Sequence, residues 1–144
     1  MSHKATIKMK INDRTTLCQT LDALGIQYQI ADKTNDLKIS SRYNVQADVD
    51  VLLKQDSHGS KMVAVGFRKN EDGTYEAVGD FYEVSGAKTK DGERLDQNSF
   101  KDAIGKRYTY FKAINQLTQL NFSVSSDVQD FKQNELQFTM TSSF

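Results

Sequence analysis

Proline is absent from the 144 residues, cysteine occurs once, histidine twice, and 19 basic side chains are matched by 19 acidic ones. Each shortage removes a class of protein. Without proline no composition break marks a linker, and at this length one domain with one core is expected. The single Cys18 cannot close an intramolecular disulfide, which suits a reducing compartment. Balanced charge leaves no broad field to displace counterions from a phosphate backbone, so general nucleic-acid binding is not expected. No apolar run approaches the length of a membrane span, and the opening MSHKATIKMK lacks the apolar stretch of a signal peptide. A soluble, cytoplasmic chain with no membrane partner is the expectation. His3 and His58 lie in unrelated segments and Cys18 has no partner motif, so no metal-ligand spacing is present. Nothing marks a nucleophile's turn, and no glycine loop runs from a strand into a helix to cradle phosphate. The reading is therefore of no catalytic residue, no metal and no cofactor.

What is present is alternation. Ala5, Ile7, Met9 and Ile11 share one side of the first segment, the period of a strand with one buried face. Asn12 or Asp13 then caps a helix in which Leu17, Leu21 and Leu24 form a stripe, stopped at Gly25. Ile26, Tyr28 and Ile30 alternate as a short strand, and Leu37 to Ile39 reads as a weaker extended piece. Ala47, Val49, Val51 and Leu53 predict one strand with Asp48 and Asp50 on its other side, followed by a turn at Asp56-Ser57-His58-Gly59 and a strand from Met62 to Arg68.

The clearest local signal is Asn70-Glu71-Asp72-Gly73 between two runs able to form strands. Asn-x-Asp-Gly suits a three-residue hairpin loop closed by a left-handed glycine, which sets Asn70 opposite Thr74 and Arg68 opposite Glu76. Val63, Val65, Phe67, Tyr75, Ala77 and Phe81 then face the core. The other side collects Met62, Ala64, Gly66, Arg68, Glu76, Val78, Asp80 and Tyr82, a mixed surface. Residues 83–98 lack any period and read as a surface loop or lid. A second helix is expected from about Ser99 to Leu120, with Phe100, Ala103, Ile104, Tyr110, Phe111, Ile114 and Leu117 on one arc and Arg107 near its middle. Phe122 and Val124 open another strand, and Leu136, Phe138 and Met140 the last. The fold class is α+β: one antiparallel-dominated sheet of about seven strands with two helices on one face, a pattern that hints at a ferredoxin-like duplication.

Three stretches, MSH at the start, VGFRKNEDGTYEAVGD in the hairpin and KRYTYFKAINQL in the second helix, resemble a plastid and cyanobacterial family. It is named hypothetical chloroplast open reading frame thirty-five, and its relatives also occur in bacteria and cyanophages. The resemblance implies a soluble protein of the plastid stroma, a cyanobacterial cytoplasm or, if phage-encoded, the host cytoplasm. It supplies neither a mechanism nor a ligand.

Two surfaces are candidates for function. If their strands neighbour each other, Asp48, Asp50, Glu76 and Asp80 join Arg68 on one sheet face, where the bland alternative is cross-strand ion pairing. Leu52, Met62, Val78 and Tyr82 interrupt that polar face, as docking surfaces do, so another protein is the expected partner, bound there and at the 83–98 loop. Arg107 suggests the competing reading, a small enzyme or ligand-binding domain with a pocket between the second helix and the sheet that holds an anion. A guanidinium on an apolar helix face must snorkel, pair or meet a ligand, and pairing is the commonest outcome. Tyr108 is the aromatic expected to be most exposed. The candidate binding residues are thus Arg68, Glu76, Asp80, Tyr82, Arg107 and Tyr108. Nothing in the residues specifies an oligomeric state.

Overall fold

The computed structural model describes residues 4–41, 45–54, 64–120, 122–126 and 139–142, the last two segments as backbone alone. The expected turn at 56–59 with His58, residues Met62 and Val63, Leu136 and Phe138, and the MSH stretch with His3 lie outside the described residues.

Strand β1 (Lys4–Ile11) buries Met9 and Ile11 and leaves its lysines exposed, the outcome of period-two alternation. Helix α1 (Arg14–Ala23) starts at Asp13, whose carboxylate accepts from the Thr15 N–H at 3.1 Å and the Thr16 hydroxyl at 2.7 Å. The Thr16 bond holds the Asp13 carboxyl below its usual range. After α1 come β2 (Tyr28–Ile30), β3 (Leu37–Lys38), β4 (Asp48–Val49), β5 (Val51–Leu53), β6 (Val65–Lys69), β7 (Tyr75–Asp80), α2 (Phe100–Gln119), β8 (Phe122–Ser126) and β9 (Thr139–Ser142).

Five strands form the main sheet in the order β1-β7-β6-β5-β2, every neighbouring pair antiparallel. Both helices pack on one face of it. Leu17, Leu21 and Leu24 of α1 join Phe100, Ala103 and Ile104 of α2 over Val51, Val65, Phe67 and Ala77 in a single apolar cluster. Phe100 sits between two other rings, 5.8 Å from Phe67 and edge-on to Phe81 at 5.0 Å. The α+β class and the two helices on one face are as expected, but the strands are divided. β3 pairs with β4, and β8 with β9, in separate two-stranded ribbons, so one sheet does not hold all the strands. β1 and β2 stand at opposite edges of the five, with three strands between them, and no second strand-helix-strand unit joins this sheet. A ferredoxin-like duplication is therefore not what the described strands build.

The hairpin register is the expected one. Arg68 pairs with Glu76, and the Asn70 N–H donates to the Thr74 carbonyl at 2.8 Å. The Gly73 N–H donates to the Asn70 carbonyl at 3.0 Å, with Gly73 at φ +87. That left-handed turn is closed a second time by Asp72, whose carboxylate accepts from the Thr74 N–H and hydroxyl.

The far face of the sheet is not open. Ile39, Val45, Val49, Leu52 and Val78 form a second apolar cluster on it, with Leu37 and Ala47 packed alongside. This covering explains the mixed composition of that face: Val78 and Leu52 are core residues of a second layer. The segment before the cluster is tied down by Asn35, in the left-handed region at φ 54. Its side-chain amide donates to the Lys69 carbonyl and accepts from the Lys69 N–H, both at 2.9 Å, as a neighbouring strand would.

Candidate functional site

Arg68, Glu76 and Asp80 lie on one face of the sheet as expected, but Asp48 and Asp50 do not join them there. The run 48–53 is broken at Asp50, which lies in a bend between β4 and β5. Asp48 stays outside and pairs with Lys38 at 2.8 Å. Asp50 turns in, to 1% exposure, accepting from the Tyr75 hydroxyl at 3.0 Å, the Asn35 N–H at 3.2 Å and Arg14 at 3.3 Å. Arg68 bonds Glu76 directly across the hairpin, its Nε 3.0 Å from Oε1. Asp80 is fully buried and accepts from the Ser41 hydroxyl at 2.7 Å. The carboxylate surface proposed around Arg68 is thus a set of separate structural pairings. Among the described residues no three His, Cys, Asp or Glu side chains gather as a metal site would require.

The Asp50 cluster has electrostatic consequences. Burial and the bond to Asp50 push the Tyr75 phenol up to about 12, and burial also raises the Cys18 thiol. A phenol whose native value lies above its unfolded value of 10.0 stabilises the fold fully at lower pH. That contribution is lost as pH climbs from about 10 to 12, because only the unfolded chain releases the proton readily. The urea midpoint is therefore expected to fall over that window in the wild type and to fall less in Tyr75→Phe. Parallel pH profiles for the two proteins would contradict the assignment.

Arg107 is paired. Its guanidinium bonds Asp91 at 2.8 Å, while the preceding Lys106 bonds Glu93 at 2.7 Å. Both carboxylates come from the segment expected to be a loose loop or lid. That segment is instead anchored: Leu95, Val84 and Ala87 enter the core, and the Lys90 N–H donates to the Leu24 carbonyl at the end of α1. It straps the two helices together, with Arg107 as a fastening, and so corrects the reading of 83–98 as a lid. Tyr108 is also corrected. It is buried, its hydroxyl accepting from the Asn12 N–H at 3.2 Å and donating to the Asn12 side-chain oxygen at 3.3 Å.

A concavity does lie between α2 and the sheet, one residue along from Arg107. It is a groove of about 350 Å³ between β1 and α2, floored by Met9, Ile11 and Tyr108 and rimmed by Lys10, Lys101 and Lys106. Asp102 is the carboxylate on its wall. Gly105 lines it from the middle of α2. Glycine inside a helix costs about 0.5–1 kcal/mol relative to alanine. Here no neighbour demands it, because a Cβ at Gly105 would meet nothing within 4 Å beyond the helix's own backbone. The strap and the hairpin leave a second depression at the other end of β1, beside Lys4, Ala5 and Tyr82. Tyr82 is 58% exposed. Of the six candidate residues, then, Tyr82 lines the depression at the start of β1 and Tyr108 the groove at its end. Gly105, Lys10 and Lys101 were missed, although a glycine amid good helix formers in FKDAIGKRY was a readable signal.

Such a molecule is a small α+β domain with helices over an antiparallel sheet and a basic-rimmed, apolar-floored seam along one edge strand. Among the described residues no helix is long and apolar enough to cross a membrane. The chain belongs to the family described as Protein of unknown function (DUF1257), whose model matches residues 20–136, a span that takes in α2 and Gly105 and begins after β1. No curated protein and no solved structure matches the chain.

Proposed function

We propose that the chain is a non-enzymatic binding module that receives another protein along the β1–α2 seam. In this reading it is kin to the hypothetical chloroplast open reading frame thirty-five proteins and works in a cytoplasm or a plastid stroma. The supporting observation is Gly105: a residue that weakens its own helix and opens a groove is accounted for by what fills the groove. Docking moves from the covered sheet face to the seam, whose floor is apolar and whose rim carries charge.

The test separates folding from binding. Gly105→Ala is expected to raise stability by about 0.5–1 kcal/mol in urea unfolding, since it restores helix propensity into empty space. Gly105→Leu keeps that gain in propensity and fills the groove, so it is expected to melt no lower than wild type and to lose partners that wild type retains from a native lysate. Equal recovery of every partner by the two proteins would overturn the reading. The apolar floor beneath a lysine rim favours one second reading, a small apolar anion in place of a protein. A rise in melting temperature with an anionic metabolite, absent in Gly105→Leu, would select it.

A further inference from the structure

Strand β1 ends the main sheet. Among the described residues it pairs with β7 alone, so one side of its backbone has no strand partner. Two depressions bracket that side, one of about 470 Å³ at Lys4 and Ala5 and the groove over Met9 to Ile11. Ala5 in the first depression and Ile7 between the two pack on the core yet remain only half-buried. An exposed edge invites pairing, and proteins blunt it with lysines and bulges. β1 carries both: Lys4, Lys8 and Lys10 are exposed, and its register with β7 slips between Lys8 and Ile11. Self-association through this edge would set lysines against lysines, which disfavours a second copy.

The same charges select a different occupant. Lys8 stands across from Glu76, but that carboxylate is taken by Arg68. Lys8, Lys10 and Lys101 carry no ion pair among the described residues. Resting on the docking reading of the seam, we propose that β1 accepts an extended segment of another protein as an added strand, one in which acidic and apolar residues alternate. Alternation follows from strand geometry: successive side chains point to opposite faces. One set enters between β1 and α2, over Met9, Ile11 and Gly105. The other meets Lys8 on the face away from α2, with Lys10 and Lys101 at the rim of the groove, while main-chain bonds to β1 hold the segment. β1 offers eight residues, so a segment of that length spans the seam from Tyr82 to Tyr108.

The experiment uses the full chain and a labelled peptide of β1's own length that alternates Asp with Val. Controls are a peptide of the same composition with its Asp and Val in two blocks, and one with Lys replacing Asp. Fluorescence anisotropy is expected to show preference for the alternating acidic peptide, weakened about tenfold or more in Lys8→Glu/Lys10→Glu and lost in Gly105→Leu. Bound peptide is expected to slow hydrogen exchange at β1 amides. Equal affinity for alternating and blocked peptides would overturn strand addition, since charge alone would then suffice. If no peptide binds while Gly105→Leu still loses its lysate partners, strand addition fails and the docking reading stands. If the alternating peptide binds Gly105→Leu as tightly as wild type, the docking reading fails as well. A wild-type dimer in sedimentation that Lys8→Glu abolishes would also overturn the proposal, because the edge would then serve a second copy.

Discussion

Gly79→Ala is expected to lower unfolding free energy by about 3–5 kcal/mol, a larger effect than the same change at Gly73 or Gly105. Gly79 lies in β7 at φ +149, and a Cβ there would collide with the Ala64 carbonyl and come within 2.8 Å of the Val65 Cα. Both obstacles are backbone, so no side chain can swing aside. The Ala64 carbonyl is also held in place, because it accepts the Asp80 N–H at 2.9 Å. Gly73 is the internal control. It too has positive φ, yet a Cβ there meets nothing within 4 Å, so Gly73→Ala carries only backbone strain, about 1 kcal/mol. Domains of this kind are stable by roughly 5–15 kcal/mol, so Gly79→Ala is expected to leave a marginal fold and Gly73→Ala a sound one. Urea unfolding of the two variants side by side decides the matter. Equal midpoints would mean that β6 and β7 can part without cost, contrary to the close approach described.

The second large effect is expected at Asp50. Replacing it by alanine removes the acceptor for the buried Tyr75 hydroxyl and the half-buried Asn35 N–H, and is expected to cost about 2–4 kcal/mol. The ion pair to Arg14 adds little, since that side chain is 46% exposed and water screens it. The double variant Asp50→Ala/Tyr75→Phe distinguishes this account from simple loss of packing. With the orphaned hydroxyl gone, its destabilisation should fall short of the sum of the single changes, the mark of one shared interaction. Strict additivity in a double-mutant cycle would show that the two side chains stabilise the fold independently.

What could be read from the chain was what neighbours in sequence decide. The alternation of β1, the Leu17, Leu21 and Leu24 stripe of α1 and the Arg68 and Glu76 register all depend on residues within a few positions, and all are found. Asp50 was misplaced because alternation holds on both sides of the bend. What turns it inward is Tyr75, 25 positions on. Residues 83–98 looked loose because their anchors, Val84, Ala87 and Leu95, are too sparse to show a period. Tyr108 was expected outside because its partner, Asn12, is 96 positions away. The seam itself is beyond a local reading: Tyr82 and Tyr108 each stand out in the chain, but only the strand order makes β1 the edge beside them.

The bend at Asp50 also decides how the molecule comes apart. Val49 belongs to the apolar cluster on one side of the main sheet and Val51, two residues later, to the cluster on the other. Melting the small ribbon would drag on β5 through a single kinked residue, and would uncover Gly66, against which Val49 is seated. The two layers therefore lack the slack that lets regions of a protein open separately, and they are expected to open as one cooperative unit.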